Sequence, residues 1–287
     1  MSFTTIIVGD LHLGKKHNVT YGDAKIWDDR SLLILKEIIS NYDPTRLILA
    51  GDVFDTSKPS SLVYSEFLGI ISSVPIVYII AGNHDISKIT EPIAFDNLEA
   101  LSNVFLVKYQ EHEIHEDFNF IGWQPTQEKY DEVMRLVIEE AKEDSVIITH
   151  CSRLDFGNKM DNICTDEHIK LAKAKKIEII SGHEHKSSIG NTFSHLGSVV
   201  QHTIAETGPR FIWVDGGFKE LQHNDDIILT REEPLHIDPD KVYYIKTGKE
   251  VTVEDLKLES KDLNIDILED FKVKAKEAGF DIEKLLK

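Results

Sequence analysis

The chain carries five short segments in which carboxylate, amide or imidazole side chains follow an apolar run. In chain order these segments are Gly9-Asp10-Leu11-His12, Gly51-Asp52-Val53-Phe54-Asp55, Gly82-Asn83-His84-Asp85, Thr149-His150 and Gly182-His183-Glu184-His185. Each preceding run is typical of a buried strand, so the polar side chains should lie where these strands end. Because sites form outside the carboxyl ends of strands in open α/β sheets, the five segments could meet in one crevice.

Seven side chains of these segments are candidate metal ligands. They are Asp10, His12, Asp52, Asn83, His150, His183 and His185. A mixture of imidazole and carboxylate suits divalent first-row metals, and favours Mn²⁺, Fe²⁺ or Zn²⁺ over Mg²⁺. Seven ligands are too many for one ion, so the sequence predicts a centre for two divalent ions.

The order of the segments resembles that of the calcineurin-like metallophosphoesterase superfamily. Its motifs read Asp-x-His, Gly-Asp-x-x-Asp, Gly-Asn-His-Asp, His and Gly-His-x-His, and the likeness covers roughly residues 4–215. The resemblance implies an α/β fold in which a two-sheet β-sandwich is flanked by helices. It also implies a two-metal phosphoester hydrolase, because two ions activate water and stabilise charge on the phosphate.

The resemblance assigns roles to the candidate ligands and to three further residues. Asp52 would bridge the two ions. The other ligands would form two shells, Asp10, His12 and His185 in one, and Asn83, His150 and His183 in the other. His84 would face the scissile phosphate as a catalytic residue, and Asp85 would orient His84 or cap the following segment. Some nuclease relatives have His at the position of Asp55, so the role of this third candidate catalytic residue stays open.

Details within the motifs resemble the SbcD-type DNA nucleases of bacteria and phages. These details are the Leu13-Gly14 pair after the first motif, the segment 51–60, and Asp85 in the third motif. Ser/Thr protein phosphatases usually have Glu at the place of Asp85, and an Arg where this chain has Thr56. Cyclic-nucleotide phosphodiesterases often read His-His-Pro at the fourth motif, where Cys151 follows the histidine here.

The resemblance therefore predicts a two-metal-dependent phosphodiesterase that acts as a DNA exo- or endonuclease in repair or recombination. It favours Mn²⁺ over Fe²⁺, Zn²⁺ or Mg²⁺, with DNA as the substrate and an SbcC-like ATPase as a partner. The alternative is a phosphodiesterase or phosphatase for a cyclic or small nucleotide. Candidate substrate-binding residues near the motifs are Lys15, Lys16, His17, Arg153 and His202.

The net charge of −18 weighs against tight DNA binding. Nucleic-acid binders gain affinity largely by neutralising phosphates, and an acidic surface repels DNA at long range. Two divalent ions would add positive charge at the site itself. We therefore expect weak unaided affinity for DNA, or help from a partner.

The length of 287 residues and a hydrophobic content of 41% allow one large domain with an appendage. Alternating strand and helix patterns, with helices expected over 27–40, 60–73 and 128–143, predict a partly parallel sheet. We place a nuclease domain at residues 1–223 and a small C-terminal cap or tail at 224–287. SbcD-type nucleases usually have a larger cap, which leaves partner binding open.

The sequence contains no apolar run long enough to cross a membrane, and its first residues lack the basic region of a signal peptide. The two cysteines, Cys151 and Cys164, form no Cys-x-x-Cys motif, so a disulfide framework is not expected. These features predict a cytoplasmic protein, in the host cytoplasm if phage-encoded, with no membrane partner. A homodimer is left open as the assembly.

Overall fold

The computed structural model describes residues 3–86, 96–153, 161–222 and 226–246. Within these ranges the strands are β1 (Thr5–Val8), β2 (Arg46–Leu49), β3 (Ile76–Ile80), β4 (Val104–Val107), β5 (His112–Glu113), β6 (Phe118–Ile121), β7 (Val146–His150), β8 (Glu178–Gly182), β9 (Phe193–His195), β10 (Arg210–Val214), β11 (Gly217–Leu221), β12 (Ile227–Thr230) and β13 (Val242–Ile245). The strands that precede the five motifs were all expected from their apolar runs.

Two sheets of mixed direction form the centre of the fold. The first has the order β11-β10-β1-β2-β3-β4, the second has the order β5-β6-β7-β8-β9, and β12 pairs with β13. Strands β1 to β4 are parallel to one another, as are β6 to β9. Strands β5, β10 and β11 pair in the antiparallel sense. The parallel strands place their carboxyl ends at one edge of each sheet, where the motifs follow.

Five α-helices and one short 3₁₀ helix lie within the described ranges. They are α1 (Ala24–Asp28), α2 (Arg30–Tyr42), α3 (Ser61–Ile71), α4 (Gln127–Glu140), α5 (Asp166–Ala174) and the 3₁₀ helix Asp96–Ala100. The side chains of Ser60, Thr126 and Thr165 each accept a hydrogen bond from a backbone N–H of the first turn, which fixes the starts of α3, α4 and α5. None of the described helices combines the length and apolar character that a bilayer crossing requires.

Alternate residues of the central strands face different layers of the core. Ile6 of β1 packs with the side chains of helices α1 to α3, whereas Ile7 packs between the two sheets. In β7, Ile147 packs with helices α4 and α5, and Ile148 faces the layer between the sheets. This alternation follows from the period of two residues along a strand. The result is a helix–sheet–sheet–helix sandwich, which confirms the predicted α/β fold.

The chain divides into two compact units. The first comprises residues 1–230 and 235–244, and the second comprises 231–234 and 245–287. Strand β12 and most of β13 therefore belong to the first unit, beyond the boundary expected at residue 223. Of the expected cap at 224–287, only residues 226–246 are described.

Candidate metal centre

The five motifs meet at the carboxyl ends of β1, β2, β3, β7 and β8. Several residues there have left-handed backbone conformations, with φ of 30° at Asp10, 46° at His12, 48° at Asp52 and 81° at His183. Such angles are uncommon for residues other than glycine, and they cluster at functional sites. Hydrogen bonds hold them, since the His12 N–H donates to the Asp52 carbonyl at 2.9 Å and the His183 N–H donates to Asp10 Oδ1 at 2.8 Å.

A glycine makes room for one of the histidines. Gly51 has a φ of +87°, and a Cβ added there would overlap the ring of His150. Only glycine combines this backbone angle with so close an approach of the imidazole. The glycine of the second motif thus allows strands from the two sheets to place their polar residues side by side.

The first cluster of candidate ligands consists of Asp10, His12 and His185, whose ligand atoms lie within 4.8 Å of one another. The Nε2 atoms of the two histidines are 2.8 Å apart. His185 Nδ1 donates to Glu206 Oε1 at 3.1 Å, and His12 Nδ1 lies 3.3 Å from Asp55 Oδ1. With both Nδ1 atoms directed at carboxylates, the two Nε2 atoms face each other, an arrangement that requires a proton or a cation between them.

The second cluster consists of Asp52, His150 and His183, again with ligand atoms within 4.8 Å of one another. Asn83 Oδ1 adjoins it, at 3.2 Å from His150 Nε2 and 3.0 Å from His183 Nδ1. Asp52 Oδ2 is 3.3 Å from His150 Nε2 and 3.6 Å from His12 Nε2. One oxygen of Asp52 therefore lies between the two clusters.

The ionisation of these groups follows from burial and from their mutual charges. Burial would raise the pKa of Asp52, but the imidazoles of His150, His12 and His84 outweigh it and hold this pKa well below its usual range. Burial opposes protonation of His150, yet Asp52 and then Asp10 raise its pKa to about 10. Burial lowers the pKa of His183 to about 3. The Asp52 carboxylate and the imidazolium of His150, 3.3 Å apart, therefore form a buried ion pair.

The donor set fits divalent ions. Asp10 Oδ2 is buried and has no hydrogen-bond partner among the described residues, which is costly unless a cation or another donor meets it. Imidazole, carboxylate and amide oxygen are together the ligands that first-row divalent metals prefer. The outer nitrogen of His150 donates to the Ala50 carbonyl at 2.9 Å, which directs its Nε2 into the centre as in many metal sites.

Comparison with known proteins identifies the family. Residues 3–187 match the family model described as calcineurin-like phosphoesterase. The chain belongs to this family. Members use divalent metals, and the predicted resemblance is thereby confirmed.

More distant likenesses of this phosphoesterase include nucleases. It is 24% identical over 234 residues to the SbcD component of the nuclease SbcCD of Staphylococcus epidermidis, across 69% of this chain and 61% of that protein's length. Among solved structures, it is similar to nuclease MPE of Pseudomonas putida at 15% identity and a TM-score of 0.40, covering 76% and 87% of the two chains. It is also similar to the phosphopantetheinyl hydrolase PptH of Mycobacterium tuberculosis at 12% identity and a TM-score of 0.39, covering 68% and 89%.

His84 lies at the rim of the centre of this phosphoesterase. Its backbone N–H donates to Asp52 Oδ1 at 2.9 Å, and its ring Nδ1 donates to the Asp55 carbonyl at 2.9 Å. The ring is exposed, and its centroid is 4.8 Å from that of His12. His12, Asp52 and His84 form a third group of ligand atoms within 4.8 Å of one another. The geometry therefore places His84 next to both clusters. The Asp55 carbonyl binds its Nδ1 and leaves its Nε2 for another partner.

Asp85 joins two motif loops rather than contacting the ring of His84. It is fully buried, and its two carboxylate oxygens accept hydrogen bonds from the N–H groups of Phe54 at 3.1 Å and Gly82 at 3.0 Å. Burial, and then the charge of Asp52, raise the pKa of Asp85 to about 8. The orienting partner of the His84 ring is instead the main-chain carbonyl of Asp55.

The carboxylate of Asp55 supports His12. It lies 3.3 Å from His12 Nδ1 and 3.3 Å from Lys15 Nζ. Burial would raise its pKa, but the hydrogen bond from His12 and the charge of Lys15 lower the pKa to about 2. Asp55 is thus an ionised group that holds a ligand ring, and Lys15 is brought to the edge of the first cluster.

The other candidate substrate-binding residues are placed differently. Lys16 is exposed, and its Nζ donates to Asp28 at 3.0 Å. The guanidinium of Arg153 donates to Asp166 and, at 3.3 Å, to the Cys164 carbonyl, so it is held at the start of α5. His17 and His202 lie together beside the first cluster, their Nε2 and Nδ1 atoms 3.0 Å apart.

Two residues that the sequence did not single out hold the loop after β9. Glu206 accepts from His185, and the guanidinium of Arg210 donates to the carbonyls of His185, Ser198 and Glu206 at 3.3, 2.6 and 2.8 Å. Neither follows a strand as the ligands do, and neither shares a motif spacing with them. No signal in the sequence points to their role.

Proposed function

We propose that this phosphoesterase hydrolyses phosphodiesters with two divalent ions, and that DNA is its substrate. The position of Asp52 Oδ2 carries the proposal, because this oxygen lies within 3.6 Å of a histidine from each cluster. A carboxylate so placed can contact two ions at once. Asp10, His12 and His185 would hold one ion, and Asn83, His150 and His183 the other.

Two such ions supply an activated water and neutralise charge on the phosphate during in-line displacement. The residues of the chain prepare this chemistry by directing ring nitrogens toward the centre. The outer nitrogens of His150 and His185 donate to the Ala50 carbonyl and to Glu206, and that of His12 faces Asp55 Oδ1 at 3.3 Å. The donor set favours Mn²⁺, Fe²⁺ or Zn²⁺ over Mg²⁺, and among these Mn²⁺ is the metal proposed by the resemblance to SbcD-type nucleases.

His84 is the proposed proton donor to the leaving oxygen. Its Nδ1–H is committed to the Asp55 carbonyl at 2.9 Å, so the exposed Nε2 is the atom that faces substrate. As an imidazolium it would donate from Nε2 and stabilise charge on the departing oxygen. Such acid–base roles contribute about 10²–10⁴-fold to rate.

Three observations support DNA as the substrate. The motif details resemble SbcD-type nucleases, a nuclease component is 24% identical over 234 residues, and Lys15, although paired with Asp55 at 3.3 Å, stands beside the first cluster. By the same resemblance we propose a role in DNA repair or recombination, a cytoplasmic location, an SbcC-like ATPase partner and a small cap within 224–287. That relative is matched over 61% of its length, so each of these is a proposal for this chain.

The second candidate is a phosphodiesterase for a cyclic or small nucleotide. The net charge of −18 favours it, as does the engagement of Lys16 and Arg153 by the carboxylates of Asp28 and Asp166. Cations that are already paired contribute less to neutralising a DNA backbone. A small substrate would need only the charge of the centre itself.

A parallel assay distinguishes the two candidates. Purified full-length chain with Mn²⁺ is offered single-stranded DNA, duplex DNA, bis-p-nitrophenyl phosphate and cyclic nucleotides at matched concentrations, with Asp52→Asn as the inactive control. We expect cleavage of DNA and of the chromogenic diester, and none by the control. Slow DNA cleavage beside fast hydrolysis of a cyclic nucleotide would reverse the assignment of substrate.

A further inference from the structure

A hydrogen-bonded chain of three largely buried side chains runs from α1 to the first cluster. Asp28 Oδ1 accepts from the backbone N–H of His17 at 2.8 Å and from its ring Nδ1 at 3.0 Å. The other ring nitrogen of His17 is 3.0 Å from Nδ1 of His202. The His202 ring centroid lies 5.4 Å from that of His12 and 5.5 Å from that of His185. This series of hydrogen bonds therefore ends beside two candidate ligands.

The last nitrogen in this series of hydrogen bonds, His202 Nε2, is buried without a hydrogen bond of its own. Three other buried imidazole nitrogens among the described residues lack one, but each has a carboxylate oxygen within 3.4 Å: His12 Nδ1 with Asp55, His168 Nε2 with Asp131, and His195 Nε2 with Glu184. The described residues provide no such carboxylate for His202. A buried polar atom without a partner is costly, so this atom is suited to a partner from outside the chain.

Whether His202 Nε2 donates or accepts a hydrogen bond follows from the carboxylate of Asp28, at the other end of the series. Asp28 accepts, so His17 carries its hydrogen on Nδ1 and, when neutral, accepts at Nε2. His202 then donates from Nδ1 and presents a lone pair at Nε2.

Other contacts fix the backbone at His202 and the ring of its partner His17. Its backbone N–H donates to Glu206 Oε2 at 2.8 Å, and the neighbouring Gln201 carbonyl accepts from Trp27 Nε1 at 2.9 Å. The Trp27 ring stacks on the His17 ring with centroids 4.1 Å apart. A side chain held from so many directions is pre-organised, as site residues must be.

We propose that His202 is a further substrate-contacting residue, whose Nε2 accepts a hydrogen bond from an O–H group beside the first cluster. Asp28 and His17 are positioning residues that set its tautomer. The inference rests on the proposed hydrolysis of phosphodiesters. An internal DNA phosphodiester carries no hydroxyl, so the O–H group belongs either to water or to a sugar hydroxyl at a chain end.

Two substitutions separate this role from a purely structural one. His202→Gln keeps an acceptor at the position of Nε2 but loses the bond to His17, whereas His202→Asn keeps a donor to His17 but has nothing at Nε2. We expect kcat to fall about 10–100-fold in His202→Asn and less in His202→Gln, because one site hydrogen bond is lost. Both variants should retain wild-type metal content by elemental analysis. A normal His202→Asn beside an impaired His202→Gln would overturn the proposal.

The choice of substrate identifies the O–H group. Bis-p-nitrophenyl phosphate carries no hydroxyl, whereas the p-nitrophenyl ester of thymidine 5′-monophosphate carries a 3′-hydroxyl. A loss of kcat in His202→Asn on both substrates assigns the contact to water. A loss confined to the thymidine ester assigns it to the sugar hydroxyl. Equal activity of His202→Asn and wild type on both substrates would overturn the proposal.

A measurement independent of turnover tests the polarity. In ¹⁵N-histidine-labelled full-length chain with diamagnetic Zn²⁺, nitrogen chemical shifts report which ring nitrogen carries the hydrogen. We expect the Nδ1–H tautomer for His202, identified by the signal absent from His202→Asn, and a reduced share of it in Asp28→Asn. An Nε2–H tautomer in the wild type would refute the acceptor role. If the wild type hydrolyses no diester, the proposed function fails, and this measurement still decides the polarity of His202.

Discussion

Three histidines proposed as ligands each have a partner at the ring nitrogen that faces away from the centre. His150 donates to a main-chain carbonyl, His12 contacts Asp55, and His185 donates to Glu206. Such outer partners fix the tautomer and orientation of a ligand. A change at an outer partner should therefore act on metal affinity, whereas a change at His84 should act on turnover.

The variant Glu206→Ala tests the first expectation. It removes the acceptor of His185 Nδ1 and of the His202 amide, so the ring of His185 loses its fixed orientation. We expect Mn²⁺ affinity, measured by calorimetric titration, to fall about 10–100-fold. Glu220→Ala, an exposed change on β11, serves as the control and should bind as the wild type does. Unchanged affinity in Glu206→Ala would assign His185 a different anchor.

The variant His84→Ala tests the second expectation. Both ligand clusters are complete without its ring, so we expect two ions per chain by elemental analysis and a loss of kcat of about 10²–10⁴-fold. His115→Ala, which removes a half-exposed imidazole paired with Glu113, is the matched control. Loss of metal from His84→Ala would make this residue a ligand instead of a proton donor.

At the scale of elements, the strands that carry the ligands could be predicted because their apolar runs are long and end in polar motifs. Helix α5 was not predicted, since its buried residues are His168 and Ala172, which give no apolar period. The helix expected over 27–40 is divided into α1 and α2 at Asp29, which is the C-cap of α1 and the N-cap of α2. The role of Glu206 as the acceptor for His185 could not be predicted, because it depends on the path of the loop between β9 and β10.

The end of α4 depends on a lysine from outside that helix. Lys175 Nζ donates to the carbonyls of Ile138, Glu139 and Ala141 at 3.0, 2.8 and 2.6 Å. Positive charge at a helix C-terminus satisfies free carbonyls and opposes the helix dipole. We expect Lys175→Met to lower the free energy of unfolding by about 1–2 kcal/mol in urea titrations. Lys170→Met, on the exposed face of α5, should change it little, and an equal loss in both variants would contradict the capping role.

At the scale of the whole molecule, the excess of acidic residues limits the affinity for DNA and its dependence on salt. With a net charge of −18, only cations close to the centre are expected to meet phosphates. If two or three phosphates are neutralised, the logarithm of the DNA association constant should fall with that of salt concentration at a slope of roughly −2 to −3. Fluorescence anisotropy with an uncleavable oligonucleotide measures this slope. A value much steeper would reveal a cationic surface beyond the centre.

The two sheets contribute candidate ligands to the same centre from segments that are far apart in the sequence. The hydrogen bond from His183 to Asp10 alone spans 173 positions. Contacts so distant in sequence tend to form late in folding, because closing a long loop is entropically costly. The ions should then bind only after the rate-limiting step of folding. We expect Mn²⁺ to slow unfolding in stopped-flow experiments and to leave the refolding rate unchanged. The metal would then stabilise the native state against unfolding without taking part in the folding nucleus.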